Sequence, residues 1–123
     1  MASQERRRFS RIEDHGLSFS LNAGGYDTIS HTLNLSESGI YCKIDKEIPL
    51  MSRVRLKLMF PNQARREDHP DGLDVDGVVV REHPVIIDGQ TKHYDIAIFF
   101  DSLSDRDRDI ISNYISWKIG SKA

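Results

Sequence analysis

The stretch GLSFSLNAGGYDTISHTLNLS, Gly16 to Ser36, decides the fold. In its first part Leu17, Phe19 and Leu21 alternate with Ser18, Ser20 and Asn22, a period of two that marks a strand with one buried face. Ala23-Gly24-Gly25 is turn chemistry, because glycine takes positive φ without steric cost. Beyond it Ile29, His31, Leu33 and Leu35 fall on one face, and Thr28, Ser30, Thr32, Asn34 and Ser36 on the other. Two such runs about a tight turn predict a β-hairpin.

The same period continues on the C-terminal side. SESG, 36–39, turns the chain into GIYCKID, where Ile40, Cys42 and Ile44 share a face. MSRVRLKLMF sends Val54, Leu56, Leu58 and Phe60 inward and Arg53, Arg55 and Lys57 outward. Residues 61–72, polar and with two prolines, read as a loop. LDVDGVVVREHPVI and HYDIAIFFDSL complete about six strands, joined by a hairpin turn at DGQ, 88–90.

The period then changes. Ser104 is placed to cap a helix, Asp105, Asp107 and Asp109 suit its positive end, and Ile110, Ile111, Tyr114, Ile115 and Trp117 recur at helical spacing before a stop at Gly120. Short antiparallel strands hide their apolar faces and edges best by closing on themselves. The expected fold is mainly β: a six-stranded antiparallel β-barrel with a C-terminal α-helix. Its parts are an N-terminal arm (1–12), the barrel (13–103) and the helix (104–120), in one domain, as 123 residues supply one core of useful size.

Composition narrows the function. A net charge of −2 does not provide the broad positive field that neutralises a nucleic-acid backbone, so no nucleic-acid polymer is expected as partner. No apolar run nears the roughly 18 to 20 residues that span a bilayer, so no membrane insertion is expected. One cysteine, Cys42, sits on an apolar strand face, which predicts a core filler in a reducing, cytoplasmic setting.

Catalytic patterns are missing. His15, His31, His69, His83 and His93 lie on separate elements without metal-ligand spacing, and Asp68, His69 and Asp71 suit turn hydrogen bonds better than a metal. There is no GxSxG elbow, no phosphate-binding glycine loop and no convergent carboxylate pair. The expectation is a binding protein, neither an enzyme nor a cofactor or metal carrier.

Two segments remain. ERRRFSR, Glu5 to Arg11, gathers Arg6, Arg7, Arg8 and Arg11 around Phe9, and NLSESG presents Asn34 and Ser36 two apart on one strand face, with Gly39 following. Arginine binds phosphate bidentately, pairs with guanine and stacks on bases, so a guanine nucleotide with exposed phosphate would satisfy these groups. Gly39 either supplies positive φ or lets a ligand approach the backbone. The bland alternative is a solvated terminal tail beside ordinary outer-face strand residues.

At this point ERRRFSRI and NLSESGI together resemble the signature of PilZ domains, RxxxR followed by [D/N]xSxxG. The resemblance implies a six-stranded barrel with a C-terminal helix and the ligand cyclic di-GMP. It assigns Arg7 and Arg11 to grip the bases and phosphates, Asn34 and Ser36 to bind from the barrel, and Gly39 to shape the turn. An arginine before RxxxR, here Arg6, goes in the family with a stacked pair of ligands, while Arg8 has no assigned role. On the fifth strand Val79 and Arg81, read as sharing a face, are the candidates to line the site, and the aromatic found there in some relatives is absent. The implied action is a mobile arm, anchored by Phe9, that folds over the ligand and signals to an unidentified protein effector. The family's usual outputs are motility, exopolysaccharide synthesis and virulence, and no residue here selects among them. A PilZ-like adaptor that binds no nucleotide is the alternative, and a single-stranded nucleic-acid binder a third reading.

Overall fold

The computed structural model describes residues 17–60 and 72–122. They form six antiparallel strands and one helix: β1 (Ser18–Ala23), β2 (Tyr26–Ser36), β3 (Gly39–Ile44), β4 (Arg53–Met59), β5 (Gly72–Ile87), β6 (Gln90–Asp101) and α1 (Asp105–Lys122). The strands close into a barrel in the order β1-β2-β3-β6-β5-β4, the architecture expected from the sequence. The arm at 1–12 and the loop expected at 61–71 lie outside the described residues; Gly72, expected in that loop, opens β5.

Hairpin turns set the register. Gly24 and Gly25 both take positive φ, 54° and 94°, and Ala23 pairs with Tyr26 across them. That two-residue turn matches the right-handed twist of the strands it joins. Asp88 and Gly89, with φ of 54° and 78°, do the same between β5 and β6.

Leu17, Phe19, Leu21, Ile40, Cys42, Ile44, Val54, Leu56 and Leu58 are buried inside the barrel as their alternation required. Arg53, Arg55 and Lys57 face out, where Arg53 meets Asp101 at 2.7 Å and Arg55 meets Asp76 at 3.2 Å. Acidic neighbours thus offset the cationic strand, and such exposed pairs contribute little stability.

Strand β2 departs from its expected partition. Ile29 is 70% exposed and His31 is exposed, whereas Thr32 is fully buried. Thr32 pairs with Cys42 but Asn34 pairs with Tyr41, so Leu33 is an extra residue, a β-bulge. Before it Thr28, Ser30 and Thr32 face the core; after it Leu35 does.

Helix α1 packs its apolar stripe on the barrel. Ile110, Ile111, Tyr114 and Ile115 are buried, and the Tyr114 ring lies 5.4 Å from that of Phe60. The Ser104 hydroxyl accepts the Asp107 N–H at 3.0 Å, an N-cap as expected. The helix continues to Lys122, so Gly120 does not end it.

Candidate functional site

A second bulge lies on β5. Val79 pairs with Ile98 and Arg81 with Ala97, which leaves Val80 as the extra residue. Val79 and Arg81 therefore do not share a face. Val79 is fully buried in the core and Arg81 is exposed on the outside.

The two bulges act on one row of the outer surface. Asn34 pairs with Tyr41, Tyr41 with Ala97, and Ala97 with Arg81. Directly opposed residues share a face, so the four side chains form a line across β2, β3, β6 and β5. Without the bulges Leu33 and Val80 would stand opposite Tyr41 and Ala97. The insertions replace two apolar side chains in this row by an amide and a guanidinium.

A cleft of about 560 Å³ runs over the row. Asn34, Ser36, Gly39, Tyr41, Arg81 and Phe99 are among the residues that line it. The structure thus brings the barrel half of the expected site together with Arg81, while Arg6, Arg7 and Arg11 lie outside the described residues.

Asn34 and Ser36 differ in what they have left to offer. Among the described residues, Asn34 Oδ1 is buried without a hydrogen-bond partner, a state that costs about 1–3 kcal/mol until a donor arrives. Ser36 is only 3% exposed. Its hydroxyl accepts the Ser38 N–H at 3.3 Å, meets the Ser38 hydroxyl at 3.1 Å and donates to the Gly39 carbonyl at 3.4 Å. Ser36 therefore holds the turn in shape, and Ser38 carries an exposed hydroxyl to the cleft. From the far side of the turn the Glu37 carboxylate accepts a hydrogen bond from Ser112 of α1 at 3.0 Å.

Gly39 does not supply the positive φ that was one of the two uses expected of it, and the structure gives it a third use. Its φ is not positive, and what approaches its backbone is β6. A Cβ there would lie well under 3.0 Å from the Ile98 carbonyl oxygen and 3.3 Å from Phe99 Cα. Glycine is needed because the two strands meet at that point.

Tyr41 is held neutral. Burial raises its pKa first, the Asp95 charge and a hydrogen bond to Asp95 raise it further, and the nearby Arg81 charge opposes them. His93 Nε2 approaches Asp95 Oδ1 at 3.3 Å without the alignment of a hydrogen bond. Tyr41, Ser38, Ala97 and Phe99 are the site residues that sequence reasoning missed. Alternation about Cys42 points Tyr41 outward, and in the pair Phe99-Phe100 only one ring can enter the core. Those were the available signals.

The described residues contain no group of His, Cys, Asp and Glu suited to hold a metal ion.

The family model for the PilZ domain matches residues 5–117. Among solved structures, the Bacillus subtilis inhibitor of motility (MotI/DgrA) superposes with a TM-score of 0.71 at 16% identity, over 96% of this chain and 53% of that one. The PilZ domain of YcgR from Escherichia coli, with c-di-GMP, gives 0.68 at 15% identity over 95% of each chain. MrkH of K. pneumonia in its apo state gives 0.72 at 15% identity, over 96% of this chain and 55% of that one. The chain spans about half the length of the motility inhibitor and of MrkH. Identities this low speak for the fold alone. No curated protein matches the sequence.

Proposed function

We propose that this chain, which belongs to the PilZ domain family, is a receptor for cyclic di-GMP that acts by binding and not by catalysis. The observation that carries the reading is Asn34 Oδ1, buried and unpartnered at a cleft that Arg81 also lines. A guanine edge has N–H donors for that oxygen, and a phosphodiester takes a guanidinium. The solved YcgR domain of the same fold contains c-di-GMP.

In this reading Arg7 and Arg11 close the site over the ligand, and Arg6 favours a second, stacked ligand molecule. Each charge-assisted hydrogen bond contributes about 1.5–3 kcal/mol, against about 1–2 kcal/mol for each arm residue that becomes ordered. Four or five such bonds, about 6–15 kcal/mol together, offset the ordering of the five residues from Arg7 to Arg11, about 5–10 kcal/mol. The ordered arm then presents or hides a surface for a protein effector.

Calorimetric titration with cyclic di-GMP tests this. We expect saturable heat from the wild type and a loss of at least about tenfold in affinity for Arg7→Ala and for Arg11→Ala, the size of one charge-assisted contact. Equal affinity in both variants, or equal affinity for GTP and cyclic AMP, would overturn the site as drawn.

One observation favours the adaptor reading instead. Ser36 is almost closed to solvent and spends its hydroxyl on its own turn. A chain that binds no nucleotide predicts no heat and a melting temperature that cyclic di-GMP leaves unchanged.

A further inference from the structure

Phe99 is the one aromatic residue among those described that is exposed; its ring is on the outer face of β6, between the buried Ile98 and Phe100. Half of its surface, 51%, meets solvent, and so does 51% of Val80, the bulged residue of β5. Burying such rings is the main source of core stability, at about 1.5–3 kcal/mol each. Ile29, Met51 and Ile86 are more exposed still, and what sets Phe99 and Val80 apart is that both line the polar cleft, where a ligand would meet them.

Across β5 Phe99 pairs with Val78, and towards the cleft its neighbours leave the ring uncovered. Across β3 the directly paired residue is Gly39, which has no side chain. Two residues along β6, on the same face, is Ala97. Glycine and alanine thus border the Phe99 ring towards the cleft, and the space they leave is part of the cleft. Tyr41 and Arg81 stand on either side of Ala97 in the adjoining row.

Resting on the cyclic di-GMP reading, we infer that Phe99, with Val80 beside it, is the platform on which a purine base of the ligand stacks, and that it selects for a flat aromatic base. Asn34 and Arg81 hold the edges of the ligand, and Phe99 holds a face. Every base has a π-face, so the ring supplies affinity for a purine, while the hydrogen-bonding row chooses which purine. Gly39 gains a second consequence here: the absent side chain that lets β3 approach β6 also keeps the base's seat open.

The experiment titrates the full chain with cyclic di-GMP and compares wild type with Phe99→Ala, Phe99→Leu and Phe99→Trp. Base–aromatic stacking lost on truncation corresponds to roughly 5- to 150-fold in affinity, so the Ala variant is expected in that range. The Leu variant keeps apolar area without the π-face and is expected to lose at least about fivefold. The Trp variant is expected to retain affinity and to show emission quenched at saturation, beyond any change from Trp117 in the wild type. Melting temperatures without ligand should agree, because residue 99 lies outside the core. Wild-type binding with Phe99→Ala and Phe99→Leu within about twofold overturns the stacking platform and leaves the receptor reading intact. No saturable binding by the wild type overturns both.

Discussion

Replacing Gly39 by alanine separates a strand-packing role from a ligand role, and the structure sets the size of the effect. The new Cβ falls about 1 Å short of an ordinary carbon–oxygen contact of ~3.3 Å with the Ile98 carbonyl oxygen. That oxygen belongs to the backbone of a closed sheet, so no rotamer change relieves the clash. Strands sit about 4.8 Å apart, and opening β3 from β6 by about 1 Å takes ladder bonds near 2.9 Å beyond hydrogen-bonding range. The Phe100 N–H bond to the Ser38 carbonyl, 2.9 Å, lies beside the strained point. Two lost bonds at ~1 kcal/mol each, plus at least ~1 kcal/mol of overpacking strain, give a destabilisation of about 3 kcal/mol. For a domain of this size that is roughly 12 °C in melting temperature.

The assay is urea unfolding of the ligand-free protein, with Gly120→Ala as control. A Cβ at Gly120 meets nothing within 4 Å, so alanine there should leave stability equal or raise it by up to ~1 kcal/mol. If Gly39→Ala unfolds within ~0.5 kcal/mol of the wild type, β3 and β6 do not need the glycine. Its place in the NLSESG segment would then have to be explained by ligand alone.

Two further outcomes follow from buried polar atoms. Burial pushes the Cys42 thiol from its usual 9.0 up to about 12, so the folded state holds the neutral thiol where the unfolded state has begun to ionise. The contribution is intact below about pH 9 and is lost as pH climbs towards 12; between pH 8 and 10 the wild type should lose about 1–1.5 kcal/mol more in urea unfolding than Cys42→Ala. Parallel pH profiles would refute the burial argument. Asn34→Leu removes an unpaired buried acceptor, so it should raise ligand-free stability by about 1 kcal/mol while weakening cyclic di-GMP binding at least about tenfold. A variant less stable than the wild type would mean that the oxygen is satisfied after all.

How much of this was legible depends on parity. Strands β1, β3 and β4 read correctly because each keeps one face throughout, and the helix because its cap and stripe are local. Strand β2 was misread although the information to correct it was present. A two-residue Gly24-Gly25 turn pairs Ala23 with Tyr26, hence Leu21 with Thr28 and Phe19 with Ser30. If Leu21 and Phe19 enter the core, so must Thr28 and Ser30, and an unbroken period then sends Leu35 out. Only an odd insertion reconciles the hairpin with Leu35. Gly39 was illegible for another reason, because its constraint comes from Ile98, 59 residues further on and met only after the barrel closes.

The same parity argument explains why the site lies where it does. On an unbroken β2, Asn34 would stand opposite Ile40 and face the core, where an unpaired amide costs about 1–3 kcal/mol or more. On an unbroken β5, Arg81 would oppose Ile96 with its charge inside the barrel. The bulge at Val80 removes the charge penalty, and the bulge at Leu33 turns Asn34 from the core to the cleft, where its Oδ1 still lacks a partner among the described residues. The bulges lie on the two strands that flank the β3–β6 pair, so the amide and the guanidinium come out in the same row, two strands of small or neutral side chain between them. Burial of Leu35 and Val79 and the outward placement of Asn34 and Arg81 are therefore one requirement, met by one extra residue per strand. The row of Asn34, Tyr41, Ala97 and Arg81 made this way lies wholly on strands, so its floor is as rigid as the barrel that carries it.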